Sequence, residues 1–240
     1  MQLEFDNLRG QLAETLNKNR HLKAALLEVN KRTMIKASMI ARGGNIIVDV
    51  DGILDGEFSR DVPILDYMYI QNCEGLMEEA CRNLTMSNNL DARLLVKAYR
   101  WLSDNREGYF RRSNPLVEVY NHVPPHVSDI VDWLTKTFRC LYSSETVDNV
   151  ILKAMYIHNR IIEIWPFDNY SGELAILAMN YYLLERGMMP IEFNLTKEQY
   201  KSLVSQCLKG RELEKMYKLI YDNLLKTMEE TVEICKGYEA

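Results

Sequence analysis

Residues 146–164 constrain the fold more than any other part of the chain. Val150, Ile151, Ala154, Met155, Ile157, Ile161 and Ile162 put apolar side chains on nearly every face of a helix. Only a helix enclosed on all sides tolerates that pattern, so this one must lie at the centre of a bundle. The segment WPFDNYSG, residues 165–172, then breaks it. A second helix runs from about Gly172 to Arg186, with Gly187 placed as its C-cap. A loop that feeds a helix N-terminus presents backbone N–H groups and the positive end of the helix dipole, which can hold an anion. Most such junctions bind nothing.

The rest of the sequence supplies the shell. Leu8, Leu12 and Leu16 recur four residues apart, and Leu22, Leu26 and Val29 continue the stripe. This predicts one amphipathic helix to about residue 40, packed on the chain itself or on a second copy in a homodimer. Gly43-Gly44-Asn45 ends it. Asp49, Asp51 and Asp55 follow in a turn-rich stretch over 45–61. Their spacing fails the EF-hand pattern, because glycine follows Asp51 directly and Leu54 takes a ligand position, so a solvated loop is expected. Helical periodicity resumes over 62–83 and 90–104. Leu116, Val117, Val119 and Tyr120 form a short β-prone run bounded by prolines. Pro124-Pro125 precedes an amphipathic helix carrying Ile130, Val131, Leu134, Phe138 and Leu141, and two more helices are expected near 197–208 and 211–235. The fold class is all-α with one small β element, divided into an N-terminal helix and loop, 1–60, and a helical domain, 61–240.

Composition excludes several functions. No apolar run approaches the ~20 residues that span a bilayer, and MQLEFDNLRG lacks a signal-peptide pattern, so a cytoplasmic protein with no membrane partner is expected. A net charge of −5 with scattered basic residues gives no nucleic-acid footprint. Arg111 and Arg112 are expected to form a solvated basic patch. The five cysteines, with no CxxC pair, are expected as buried thiols without a metal.

The stretch ILKAMYIHNRIIEIWPFDNYSGELAILAMNYYLLERGMMPIEF resembles the core of Fic-domain proteins, the family of protein AMP transferases. Their loop reads H-P-F-x-[DE]-G-N-G-R-x-x-R. In that register Trp165 takes the histidine, Pro166 and Phe167 match, and Asp168 is the variable position. Asn169 takes the acidic residue, Tyr170 the first glycine and Ser171 the asparagine. Gly172 matches, Glu173 takes the first arginine and Ile176 the second. GYFRRSNPLVEVYNHVPP is similar to the family's β-hairpin flap, which implies a protein or peptide target docked at Leu116, Val117, Glu118 and Val119. Ser38 to Gly44 lies where relatives carry an inhibitory S-x-x-x-E-G-N helix. Ser38 and Gly43 fit, and Arg42 stands in place of the glutamate. The resemblance implies a helical bundle with a central helix–loop–helix, and ATP and Mg²⁺ as cofactors.

The substitutions work against those cofactors. The family's histidine accepts a proton from the target hydroxyl, whereas the indole of Trp165 has only an N–H to donate. Asn169 offers a metal a weaker ligand than a carboxylate, and Glu173 reverses the charge needed on a polyphosphate. The inhibitory glutamate and its partner, the second motif arginine, are both absent. The expectation is a Fic-fold protein inactive in AMP transfer that binds protein or peptide. The alternative is a diverged transferase using Asp168 or Glu173. Trp165 reads as a pocket-filling core aromatic or a ligand-stacking ring, and His158 as a hydrogen-bonded core histidine or a base.

Overall fold

The computed structural model describes residues 2–42, 48–85, 89–143 and 149–238. Among them are ten α-helices: α1 (Gln2–Lys18), α2 (Arg20–Ser38), α3 (Val50–Leu54), α4 (Ile64–Thr85), α5 (Ala92–Leu102), α6 (Ile130–Tyr142), α7 (Val150–Ile164), α8 (Ser171–Glu185), α9 (Lys197–Leu208) and α10 (Leu213–Gly237). No helix of the described residues is long and apolar enough to cross a membrane.

The two helices that the central sequence demands form the axis. In α8 every residue from Ser171 to Leu183 is buried. α7 packs along it and buries Ile151, Ala154, Ile157, His158, Ile161, Ile162 and Ile164. α2, α4 and α5 also lie against α8, while α6 and α10 lie against α7. Gly187 closes α8 with a φ of +71°, the left-handed geometry that glycine adopts without a Cβ clash. Just beyond, Asn180 explains its place in a buried helix. Its amide donates to Ile191 O at 3.0 Å and its carbonyl accepts from Ile191 N at 2.9 Å, clamping the chain as it leaves α8.

The first helix differs from its expectation. It is two helices, because Asn19 interrupts it with extended backbone and its side chain accepts from His21 N and Leu22 N as the cap of α2. The leucines of the stripe are intramolecular: Leu12 and Leu22 are buried in the core and Leu8, Leu16 and Leu26 pack against it, whereas Val29 is exposed. The segment after it is not a plain solvated loop either. Asp49 caps the short α3 by accepting from Gly52 N, Asp51 pairs with Lys36 and Arg32, and Asp55 pairs with Arg32 at 2.7 Å. No disulfide joins the cysteines, and Cys73, Cys207 and Cys235 are buried.

The expected β-hairpin is reduced to a single bridge. Val117 N donates to His122 O at 2.8 Å and His122 N to Val117 O at 3.2 Å, around a 3₁₀ turn over Glu118–Tyr120 with Asn121 left-handed. The flap is thus a tight turn rather than a pair of strands.

Candidate functional site

The loop between α7 and α8 is bracketed by two aromatic residues in left-handed backbone, Trp165 at φ 46° and Tyr170 at φ 64°. Bulky residues seldom sit there, at a cost of about 1–2 kcal/mol each, so the surrounding contacts must hold them. Tyr170 occupies the position where the family motif has its first glycine, and its positive φ accounts for glycine in that motif.

What holds the loop is mostly Arg111. This side chain is only 2% exposed, against the expectation of a solvated basic patch. Its Nε donates to Trp165 O at 2.8 Å, Nη1 to Ser113 O at 2.6 Å and Asn114 Oδ1 at 3.0 Å, and Nη2 to Pro125 O at 2.5 Å and Ile164 O at 3.4 Å. Its own N–H donates to Pro166 O at 2.9 Å. A cation here satisfies carbonyls at the negative end of α7. Burial pulls its pKa below the ordinary value, with the charge of Asp168 acting the other way. Arg112 is exposed, as expected. His122 adds a second cap, its Nε2 lying 2.7 Å from Glu163 O.

Inside the loop, Phe167 is fully buried and stacks on Tyr99 at 4.2 Å between ring centres. Ser171 Oγ ties the loop to α8 by accepting from Phe167 N at 3.0 Å and donating to Phe167 O at 3.1 Å. Pro166 is buried, while Asp168 and Asn169 point into solvent. Trp165 is half-buried, edge-on to Tyr120 at 5.9 Å.

The N-terminus of α8 is covered by the turn that follows α2. A Cβ on Gly172 would meet Ala41 Cβ at 3.3 Å and the Tyr120 hydroxyl at 3.5 Å. From this turn Arg42 reaches Asp66 Oδ1 with Nε at 2.7 Å, Leu65 O with Nη2 at 3.4 Å and Glu173 Oε1 with Nη1 at 3.5 Å. Its guanidinium lies over the Tyr69 ring at 4.3 Å and faces Tyr170 at 5.8 Å. Those two rings stack 16° from parallel. Ser38 is buried behind them, accepting from the Tyr69 hydroxyl at 2.7 Å and donating to Ile35 O at 2.7 Å. Gly43 lies outside the described residues. Both members of the family's inhibitory pair are absent, yet Arg42 and Glu173 join the same two segments with the charges exchanged.

Burial raises the Glu173 pKa, outweighing its own backbone N–H and the charge of Arg42. Burial is also the largest influence on Arg42 and lowers its pKa, but the hydrogen bond to Asp66 and the charges of Glu173 and Asp66 together hold it above the ordinary value. Two carboxylates and two aromatic faces suit a cation, and here they hold the Arg42 guanidinium. They do not fit a Mg²⁺-bound polyphosphate, which needs a metal carboxylate and basic groups on its oxygens. Among the described residues no group of three His, Cys, Asp or Glu side chains converges on a metal position.

His158 lies away from the loop. It is fully buried, with Nε2 2.8 Å from the Tyr200 hydroxyl and Nδ1 2.9 Å from Asn159 Oδ1. Of the flap residues, Leu116, Glu118 and Val119 are exposed and Val117 is buried. Sequence reasoning missed Asp66, Tyr69, Tyr120 and Arg111. Asp66 carried a signal, an acid on the same face of α4 as Tyr69, Ile70, Cys73 and Met77.

A family model described as Fic/DOC family matches residues 89–183. Solved structures share the fold along nearly the whole chain at low identity. A Fic domain containing signaling protein from Bacteroides thetaiotaomicron is 15% identical with a TM-score of 0.77, over 98% of this chain and 97% of its own. Fic-1 (aa134 - 508) from C. elegans is 13% identical with a TM-score of 0.72, over 97% of this chain and 73% of its own. A Fic family protein from Desulfovibrio desulfuricans is 14% identical with a TM-score of 0.60, over 98% of this chain and 75% of its own. The matched segment runs from just before α5 to the buried length of α8 and carries the whole loop, so residues 89–183 are similar to the Fic/DOC family and the chain shares the fold of Fic domain proteins.

Proposed function

We propose that this chain uses the Fic scaffold in the cytoplasm to bind a protein or peptide, and that it does not transfer AMP or another nucleotide. One observation carries the reading: the Arg42–Glu173 pair sits at the N-terminus of α8, where the family resemblance would place phosphate. Trp165 supports it, since an indole cannot accept the proton of an attacking hydroxyl. The diverged-transferase alternative has less support, because Glu173 is engaged by Arg42 and Asp168 faces solvent. The exposed apolar side chains Leu116, Val119 and Val123 along the flap turn offer a peptide a contact surface.

The test is incubation with ATP, UTP, GTP or CTP labelled at the α-phosphate, with Mg²⁺ or Mn²⁺ and host lysate. No label should move to the chain or to a lysate protein. Robust labelling that disappears in Trp165→Ala or Glu173→Ala would overturn the proposal.

A further inference from the structure

We propose that Asp66, Tyr69, Tyr170 and Glu173 form a recognition site for the guanidinium of an arginine on a partner protein, and that Arg42 fills it as an internal ligand. This deepens the binding reading above and rests on it. The acceptors Asp66 Oδ1, Leu65 O and Glu173 Oε1 lie around the guanidinium edge, while Tyr69 covers its face at 4.3 Å. Acceptors at the edge with a ring on the face favour the planar fork of arginine over the compact ammonium of lysine.

The cage stands without Arg42. Tyr69 is fixed by Ser38, Asp66 and Tyr69 are one turn apart on α4, and Glu173 is in the first turn of α8, so three of the four walls belong to packed helices, while Tyr170 caps α8 and stacks on Tyr69. Arg42 itself lies past its helix in extended backbone, at φ −71° and ψ 146°. Its side chain can leave without unwinding α2. Beside the cage, Ile64 and Leu65 are about two-thirds exposed, at 66% and 65%, and Met68 follows one turn on at 45%. These side chains give the residues flanking a partner's arginine an apolar surface.

Arg42→Ala should lower the melting temperature and empty the cage. N-acetyl-arginine methylamide should then restore at least half of the loss, saturably, with half-effect on the order of 1 mM. Methylammonium chloride should not. Adding Glu173→Gln should weaken the rescue roughly tenfold, the loss of one charge-assisted contact. The proposal is wrong if no saturable rescue occurs, if methylammonium serves equally, or if Mg·ATP stabilises the variant instead. Should Arg42→Ala give no thermal transition, Arg42→Gln is measured by equilibrium dialysis of the arginine probe, with the same outcomes deciding. Label transfer by either variant would refute the inactivity reading alone, since the probe titration judges the cage independently.

Discussion

Replacing Arg111 with methionine is expected to destabilise the protein by about 4 kcal/mol, whereas the same change at its neighbour Arg112 should cost less than about 0.5 kcal/mol. The difference follows from partners. Arg111 donates to the carbonyls of Ser113, Pro125, Ile164 and Trp165 and to the side chain of Asn114. Methionine fills similar space but leaves the four carbonyls without this donor, while Asn114 Oδ1 keeps the Val127 N–H, and each unsatisfied buried acceptor costs about 1–3 kcal/mol. Some carbonyls will find water, so the sum falls short of four full penalties. For a chain of this size the loss corresponds to a melting-temperature drop of roughly 10 °C. Because Arg111 holds the carbonyls of Ile164 and Trp165, the loop should loosen before the bundle does. Hydrogen exchange would show this as faster exchange at 165–171 with α10 unchanged. Equal stability losses at positions 111 and 112 would contradict the assignment.

The same pair of arginines shows what the sequence could reveal. Signals that act locally were legible. Apolar residues on every face marked α7 and Gly187 marked the end of α8, while α9 spans the expected 197–208 and opens on a capping box of Thr196 and Gln199 that the structure shows. Signals that depend on a distant partner were not. Arg111 and Arg112 are the same residue type side by side, and carbonyls as far as 54 residues away separate their fates. Asn19 divides α1 from α2 by a cap that looks in sequence like one more polar position on an amphipathic stripe. At the site, the loss of the family's charges at positions 42 and 173 was visible one residue at a time. That the two replacements meet, with opposite charges exchanged between helix and turn, required the bundle to bring α2, α4 and α8 together. The flap illustrates the reverse error. β-branched residues at 117 and 119 suggested a strand, but a single bridge closes a 3₁₀ turn because Tyr120 turns inward onto Trp165.

The buried histidine yields the second large effect, and it is a pH dependence. Burial pushes the His158 pKa down to about 4, with Asn159 acting weakly the other way. The Asn159 carbonyl at Nδ1 assigns the ring hydrogen to that nitrogen, leaving Nε2 to accept from the Tyr200 hydroxyl. The ring is therefore neutral and fully satisfied at neutral pH, and no acceptor remains to act as a base toward the loop. The native state resists protonation while the unfolded chain takes up a proton near the ordinary value of 6.5. Stability is thus complete above about pH 6.5, falls as pH drops through the window between 6.5 and 4, and levels off below it. The full loss is about 3 kcal/mol. Glu173, whose pKa is raised, titrates with the opposite sign: its burial favours the native state as pH falls. A wild-type profile alone would mix the two, so the measurement is a difference. His158→Gln keeps a donor and an acceptor but cannot charge. Its deficit in urea unfolding free energy should shrink by roughly 2 kcal/mol between pH 7 and pH 5, since Glu173 contributes equally to both proteins. Parallel stability curves for the two proteins across that interval would show that His158 titrates as an ordinary solvated imidazole, and the buried relay to Tyr200 would have to be abandoned.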